Sequence, residues 1–185
     1  MATTLYFTRH GETFWNVENK ICGATDIGLT PRGRTQAEEL GRTLRAEARR
    51  IDLVLASPLS RAAETARILA EAAGLPLRIE PRLTEQNFGI FEGTPRDGAD
   101  FRAAKARFAD RFGSGESMLM VAARVYPLLD ELRADGRTCL LVAHNGIARV
   151  VHSYFHDMTN EAYAAFGIGN CELREYFFKS QELSV

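Results

Sequence analysis

Two short stretches of this sequence, residues 51–56 and 138–143, are apolar at nearly every position. A strand with one face in water alternates between apolar and polar residues, whereas a strand covered on both faces is apolar throughout. Helices are the usual cover on both faces of a parallel sheet. The two stretches therefore predict buried parallel strands, and residues 4–8 predict a further strand of the same sheet.

Helical patterns fill the segments between these strands. Thr30 and Pro31 form an N-cap and first-turn pair, and the apolar stripe that follows predicts a helix to about residue 48. An alanine-rich helix is expected over residues 61–73, directly after the second strand. Gly74 stands where a helix C-cap glycine belongs.

The second half of the chain continues the alternation. Ser117 begins another apolar stripe, and Pro127 inside it is expected to kink the helix or to end its regular part. A fourth helix is predicted over residues 146–157 and an edge strand over 173–178. Strands alternating with helices predict an α/β fold, a three-layer α/β/α sandwich with a mostly parallel central sheet, formed as a single domain over residues 1–185.

Composition limits what such a domain binds. With 23 Lys and Arg against 24 Asp and Glu, the formal charge of −1 provides no global attraction to nucleic acid or to an anionic membrane. Three widely spaced cysteines argue against a disulfide framework. No segment approaches the roughly 18 apolar residues that a membrane span needs. We therefore expect a soluble cytoplasmic protein that binds neither nucleic acid nor membranes.

Two predicted strands end in the same way, each with a histidine directly after its last residues. These are His10 and His144. In a parallel sheet both lie at the carboxyl edge, where open α/β folds bind ligands. A third strand end delivers Arg61 to the first turn of a helix, where free backbone N–H groups favour an anion. Together with Arg9, these side chains predict a compact cationic site.

A phosphate group suits such a site, because the arginine fork binds phosphate bidentately. A neutral imidazole attacks phosphorus when its other nitrogen is held by a hydrogen bond. One histidine is therefore expected as the nucleophile, and the other would stabilise the transition state with the two arginines. The leaving alkoxide also needs a proton, and the segment 83–93 offers Glu85 and Glu92 as acids. Of the two, Glu92 is interpreted as the structural carboxylate.

Four motifs in order resemble those of the histidine phosphatase superfamily, also called phosphoglycerate mutase-like, over about residues 5 to 150. The motifs are Arg9-His10-Gly11-Glu12-Thr13 with Asn16, Ser57-Pro58-Leu59-Ser60-Arg61-Ala62 to Thr65-Ala66, Leu83-Thr84-Glu85 to Glu92-Gly93, and Ala143-His144-Asn145-Gly146. The resemblance implies His10 as the phosphorylated nucleophile and Glu85 as the proton donor. It implies that the phosphate pocket consists of Arg9, Arg61, His144 and Asn16. It implies no metal and no nucleotide cofactor.

Asn145 is a departure from the family pattern, in which the histidine is followed directly by glycine. Asparagine adopts the left-handed conformation more readily than most residues, so we expect the turn after His144 to tolerate it.

The resemblance leaves the reaction to be decided. Members similar to cofactor-dependent phosphoglycerate mutases carry a long insertion between the acid and the next Gly-Glu-Ser helix start, whereas here only residues 86–116 separate Glu85 from Ser117. A site that admits water favours hydrolysis, so we expect a phosphatase that acts on a small phosphorylated metabolite. Two alternatives stay open: a 2,3-bisphosphoglycerate-dependent phosphoglycerate mutase, and a non-catalytic regulator that binds a phosphorylated ligand.

Three further features receive structural interpretations. Residues 94–116 are expected to form a small lid, with its aromatic residues as local core and its charges as solvated surface. The alternative, that some of these side chains contact the non-phosphate part of the substrate, stays open. His152 and His156 have helical spacing for a zinc site, but they lack the glutamate of His-Glu-x-x-His and an evident third ligand. The last predicted strand, if exposed, is able to pair across a homodimer.

Overall fold

The computed structural model describes residues 3–178, and its centre is a five-stranded sheet. In chain order the strands are β1 (Thr4–Arg9), β2 (Leu53–Ala56), β3 (Leu77–Ile79), β4 (Cys139–Ala143) and β5 (Leu173–Phe177). Their order in the sheet is β3-β2-β4-β1-β5, and only β5 is antiparallel, at the edge beside β1. The mostly parallel sheet and its late edge strand are confirmed. The sequence analysis missed β3, which is only three residues long and exposed throughout.

Seven α-helices accompany the sheet within the described residues. They are α1 (Phe14–Val17), α2 (Pro31–Ala46), α3 (Ser60–Ala73), α4 (Ala99–Ala104), α5 (Met118–Asp135), α6 (Asn145–Phe155) and α7 (Asn160–Ala165). Within residues 3–178, every helix is too short or too polar to cross a membrane.

Two helical layers explain why the central strands are apolar on both faces. Leu140 and Val142 of β4 pack in one core with α2 and α3. Leu141, between them, points to the opposite core, which α5 and α6 cover. Because successive strand residues face opposite sides, every position of β4 is buried. The predicted three-layer α/β/α sandwich is thereby confirmed.

The predicted helix ends follow their capping residues. The Thr30 hydroxyl accepts a hydrogen bond from the Gly33 N–H at 3.0 Å, which satisfies a free donor at the start of α2. This helix ends at Ala46, two residues earlier than expected, because Ala48 has a positive φ of 48°. Gly74 ends α3 in the left-handed conformation, with φ 72°.

Pro127 does not end α5. The helix continues to Asp135, with Pro127 on its solvent side. Val125 and Leu128 on either side of the proline are buried in the core below β4, and their packing holds the helix together across the missing N–H.

The loop after β1 packs backbone to backbone against the start of α2. A Cβ atom at Gly33 would lie 2.2 Å from the Glu12 carbonyl oxygen, and a Cβ at Gly11 would lie 2.3 Å from the Gly33 carbonyl oxygen. The Glu12 carbonyl also accepts a hydrogen bond from the Thr30 N–H at 2.9 Å. Helix α2 therefore fixes the loop that follows His10.

Replacing Gly33 with alanine should destabilise the protein. Alanine is the better helix former, but its methyl group would meet backbone atoms that cannot rotate away, and overpacking of this kind costs about 1–3 kcal/mol. Urea titration measures the free energy of unfolding. Gly28→Ala is the matched control, because a Cβ at Gly28 has no atom within 4 Å. A Gly33→Ala protein as stable as the wild type would show that the loop and helix separate freely.

Candidate active site

The structure places His10 and His144 side by side at the carboxyl ends of two neighbouring strands. Parallel pairing of β1 with β4 puts Arg9 opposite Ala143, and the His10 N–H donates to the Ala143 carbonyl at 3.0 Å. The two imidazole ring centroids are 5.2 Å apart. His10 is 4% exposed and lines a cavity, and the fully buried His144 lies behind it.

The His10 ring has a defined tautomer. Its Nδ1 lies 2.7 Å from the Gly11 carbonyl oxygen, and since a carbonyl only accepts, Nδ1 carries the proton. Burial, followed by the charges of Arg9 and Arg61, holds the pKa of His10 well below its ordinary value. The ring is therefore neutral near pH 7, with the lone pair of Nε2 available. A neutral imidazole on the wall of a cavity is suited to act as a nucleophile or a base.

His144 is anchored through its other nitrogen. Its Nε2 lies 2.7 Å from the Ser57 hydroxyl at the end of β2, and its buried Nδ1 has no partner among the described residues. Burial, with Arg61 and His10 nearby, holds the pKa of His144 well below its ordinary value. Sequence reasoning quoted Ser57 only as part of a motif, and the structure shows that it orients this ring.

The two predicted arginines are held by backbone carbonyls. Arg61 is fully buried and donates through Nη1 to the Thr25 carbonyl at 2.9 Å and through Nη2 to the Gly23 carbonyl at 2.7 Å. Arg9 donates to the Ile168 carbonyl at 3.1 Å, and burial lowers its pKa to about 10. Arg61 Nη1 also lies 3.9 Å from an Asp26 carboxylate oxygen, whereas no carboxylate oxygen of the described residues lies within 4 Å of the Arg9 guanidinium. Both guanidinium groups keep their positive charge and can bind an anion.

Glu92 holds the loop that carries Gly23 and Thr25, the two residues whose carbonyls bind Arg61. Its carboxylate accepts hydrogen bonds from the Gly23 N–H at 3.0 Å, from the Thr25 hydroxyl at 2.8 Å and from the Phe88 N–H at 3.0 Å. The loop held in this way presents the carbonyls that bind Arg61. Glu92 thus occupies a structural position.

Glu85 lies in the wall of the same cavity as His10 and is 4% exposed. One of its oxygens accepts from the Gly146 N–H at 3.0 Å, and the other accepts from the Gln86 N–H at 2.9 Å. A Cβ at Gly146 would lie 2.5 Å from the carboxylate, so only glycine permits this approach. The strand end that carries His144 therefore also positions Glu85.

Asn16 is oriented by a residue that sequence reasoning missed. Its Oδ1 accepts from the Thr13 N–H and from the Asn170 Nδ2, each at 3.1 Å. Asn170 also donates to the His10 carbonyl at 2.8 Å. Because Oδ1 is fixed, the Asn16 amide nitrogen is fixed as well, and this buried nitrogen has no partner among the described residues. Asn170 lies just before β5, and no local pattern in the sequence marks it.

The extra residue after His144 is accommodated without a left-handed turn. The expectation that Asn145 relies on that conformation is wrong, because α6 begins at Asn145 itself and His144 is its extended N-cap with φ −134°. The Asn145 side chain accepts a hydrogen bond from the Ile168 N–H at 3.0 Å. Asparagine at this position therefore ties the start of α6 to the segment that holds Arg9.

The cavity has more positive charge than the motifs predicted. Besides Arg9 and Glu85, it is lined by Arg96, Lys105 and Arg149. The first two lie in the predicted lid, where charges were expected to be solvated, and for them that expectation is wrong. The aromatic residues behave as predicted at Phe101 and Phe112, which are buried in a small core with Phe88.

The pair His152 and His156 forms an aromatic cluster. Their ring centroids are 4.4 Å apart, and His152 stacks on Phe166 at 4.1 Å. Across residues 3–178, no three His, Cys, Asp or Glu side chains are grouped so as to hold a metal ion.

Comparison with known proteins identifies a family that matches nearly the whole chain. The sequence model of the histidine phosphatase superfamily (branch 1) matches residues 5–185. The probable phosphoglycerate mutase GpmB of Erwinia tasmaniensis is 32% identical over 178 residues, which cover 91% of this chain and 82% of that protein.

Solved structures share the fold over nearly the whole chain. A native mycobacterial glucosyl-3-phosphoglycerate phosphatase superposes with a TM-score of 0.82 at 31% identity, covering 95% of this chain and 90% of that chain. A mutant phosphoserine phosphatase from Entamoeba histolytica in complex with phosphoserine gives a TM-score of 0.80 at 28% identity, covering 96% and 91%.

Stability should fall as the pH is lowered below about 6.5, because His10 and His144 stay neutral in the folded protein but bind protons once unfolded. Between pH 6.5 and the pKa in the folded protein, each of these histidines lowers the free energy of unfolding by up to about 1.4 kcal/mol for each pH unit of acidification. Unfolding free energies in phosphate-free buffer at pH 7.5, 6.5 and 5.5 measure this slope.

Two variants separate the buried histidines from other groups. His144→Gln should lower the slope by up to about 1.4 kcal/mol per pH unit. His156→Gln, at an exposed position, should change it less, since it acts only through the neighbouring His152, whose pKa is also lowered by burial and by His156. The same slope in His144→Gln and in the wild type would contradict the assigned protonation state.

Proposed function

Because this chain belongs to the histidine phosphatase superfamily, we propose that it hydrolyses small phosphomonoesters through a phosphohistidine intermediate on His10. The observation that carries the proposal is the hydrogen bond from His10 Nδ1 to the Gly11 carbonyl, 2.7 Å long. It leaves the Nε2 lone pair as the free end of a neutral ring in a cavity that Glu85 also lines.

The phosphate would be held by atoms that otherwise lack hydrogen bonds. Within the described residues, five buried side-chain nitrogen or oxygen atoms have no partner, and four of them are Arg9 Nε, Asn16 Nδ2, Arg61 Nε and His144 Nδ1. An unpaired buried donor costs about 1–3 kcal/mol, which a ligand oxygen would recover. Arg9 and Asn16 line the cavity beside His10, and this group of unpaired atoms supports a tetrahedral oxyanion as the natural occupant.

In the first half of the reaction, His10 Nε2 attacks phosphorus and the bond from phosphorus to the ester oxygen breaks. Glu85 would act as the acid that gives a proton to the departing alkoxide. Arg9 and Arg61 balance the charge that spreads over the non-bridging oxygens, and Asn16 and His144 donate hydrogen bonds to them.

In the second half, water attacks the phosphohistidine from the side that the alcohol has left. Glu85, now a carboxylate, takes a proton from the water as the bond from phosphorus to His10 Nε2 breaks. Inorganic phosphate leaves, and His10 and Glu85 return to their starting protonation states. The sequence supplies every group that the cycle requires.

A phosphoglycerate mutase is the second candidate, and the name of the GpmB relatives favours it. A mutase would pass the phosphoryl group from His10 to a second hydroxyl rather than to water. The short connection from Glu85 to Ser117 gives little material to enclose the phosphoenzyme, which supports hydrolysis. A regulator that only binds a phosphorylated ligand would need neither the free His10 Nε2 nor Glu85.

His10→Ala should abolish turnover of phenyl phosphate, with a loss of at least about 10³-fold in kcat, because the covalent path needs this nitrogen. Release of inorganic phosphate measures the activity. His156→Ala, at an exposed position just after the end of α6, serves as the control. Alkaline quenching of the wild type should trap a phosphoryl group on His10, and a label on another residue would refute the assignment.

Glu85→Gln should slow the reaction according to the leaving group. Alkyl phosphates should lose about 10²- to 10⁴-fold in kcat, because an alkoxide needs the proton, whereas 4-nitrophenyl phosphate should lose much less. The ratio of the two losses is the readout, since a general disturbance of the fold would slow both substrates alike. Equal losses would remove Glu85 from the role of acid.

Hydrolysis and transfer are separated on the wild-type protein with 3-phosphoglycerate. We expect release of phosphate to exceed isomerisation both with and without added 2,3-bisphosphoglycerate. Isomerisation that depends on the bisphosphate and outpaces hydrolysis would establish the mutase instead.

A further inference from the structure

Three cationic side chains line the cavity beside the phosphate pocket, and the proposed mechanism uses none of them. They are Arg96, Lys105 and Arg149, called here the cavity cations. Arg96 lies in a loop, Lys105 follows the last turn of α4, and Arg149 lies on α6. The three residues come from separate elements, so their meeting in one cavity is not explained by a single charged surface helix.

The cavity cations have no acidic partners. Within residues 3–178, no carboxylate oxygen lies within 4 Å of any of the three charged groups. The half-buried Arg82 shows the usual alternative, since it reaches both Glu80 at 2.9 Å and Glu131 at 2.8 Å. The cavity cations therefore have no direct ion pair, and Glu85 in the cavity wall opposes the charges of Arg96 and Arg149 from more than 4 Å away.

Backbone carbonyls hold the two arginines of this group in place. Arg149 is 6% exposed and donates through Nε to the Phe166 carbonyl at 2.9 Å. Arg96 donates through Nε to the Lys20 carbonyl at 2.8 Å. The arginines of the phosphate pocket are held by carbonyls too, so the cavity cations share the construction of a site that receives an anion.

Crowding these charges carries an electrostatic cost. Burial, together with the neighbouring charge of Arg149, lowers the pKa of Lys105 to about 8. Glu85 is the only carboxylate in the described wall of the cavity, and the proton transfer uses it. Arg9 and Arg61 already match the two charges of a phosphomonoester, so one phosphate leaves the cavity cations unbalanced.

We propose that the substrate carries a second anionic group, a carboxylate or another phosphate, which the cavity cations bind while the scissile phosphate lies against His10. The proposal rests on the proposed function, because it describes the rest of the molecule whose phosphate is removed. Its ligand chemistry is an oxyanion that accepts hydrogen bonds from guanidinium and ammonium groups.

The spacing along α6 indicates a compact substrate. The Gly146 N–H holds the Glu85 carboxylate, and Arg149 is three positions further on the same helix face, roughly 5 Å along the axis. A second anion near Arg149 therefore lies in the same cavity as the ester oxygen near Glu85. Phe88 and Phe101 close the apolar side of this space.

Two matched pairs of phosphomonoesters test the proposal. Glycerol 3-phosphate and 3-phosphoglycerate differ only in a hydroxymethyl group against a carboxylate, and propyl phosphate and propane-1,3-diol bisphosphate differ by the second phosphate. In at least one pair, we expect the compound with two anionic groups to have a kcat/KM at least about tenfold higher than the compound with the phosphate alone. The pair that shows this difference identifies the second anion as a carboxylate or a phosphate. No preference in either pair would overturn the proposal.

Variants assign the preference to particular residues. The preference is the ratio of the two kcat/KM values within a pair. Lys105→Met and Arg149→Met should each reduce this ratio by about tenfold. Arg102→Met is the matched control, because Arg102 is an exposed charge on α4. It should leave the ratio unchanged. Arg149 is buried, and if Arg149→Met fails to fold for that reason, Lys105→Met is the deciding variant. An unchanged preference in Lys105→Met would show that the cavity cations do not bind the second anionic group.

Binding measurements keep this proposal separate from the proposed hydrolysis. Absence of phosphate release from every ester, phenyl phosphate included, would refute hydrolysis alone. Calorimetric titration of the His10→Ala protein with the same two pairs then tests the cavity cations without turnover. The doubly anionic ligand should bind at least about tenfold more tightly, and equal affinities within both pairs would overturn the second anion site.

Discussion

The parallel pairing of β1 with β4 is the constraint on which the site depends. It places the residues after Arg9 and Ala143 at one edge of the sheet and sets the two imidazole rings 5.2 Å apart. Because both strands are buried between two helical layers, neither is free to shift its register without moving apolar side chains from one core to the other. The distance between the histidines is therefore fixed by the hydrophobic core and not by the loops around them.

Backbone carbonyls do most of the positioning around this edge. Arg61 is held by the loop that Glu92 anchors, and Arg9 is held by the Ile168 carbonyl. A carbonyl fixes the direction of a guanidinium with only a partial charge, whereas a close carboxylate competes with an incoming anion. The carboxylate of Asp26 approaches Arg61 only to 3.9 Å, at the outer limit of an ion pair. The carboxylate that stabilises the site, Glu92, acts through backbone and hydroxyl groups one step away from the arginine. The site is therefore both rigid and positively charged.

The sequence was sufficient for the parts of the molecule that local patterns encode. Apolar runs located the central strands, Thr30 and Gly74 located helix ends, and strand-end residues such as His10 could be placed at one sheet edge. Asn170 could not be found in this way, because its role depends on the late edge strand folding back beside β1. Arg96 and Lys105 were misjudged for a related reason. Exposed and cavity-lining cations alternate in the same short segment, and only the packing around Phe101 decides which of them turn inward.

The cavity consequently has two parts with different origins. The reacting groups come mainly from strand ends and the first turns of helices, where the sheet dictates position, while the cavity cations come from α6 and from the segment around α4. The cavity cations do not belong to β1 or β4, so they do not set the register that places the two histidines. In the proposed reaction, the residues at the strand ends supply the reacting groups, and the cavity cations would bind the part of the substrate beyond the scissile phosphate.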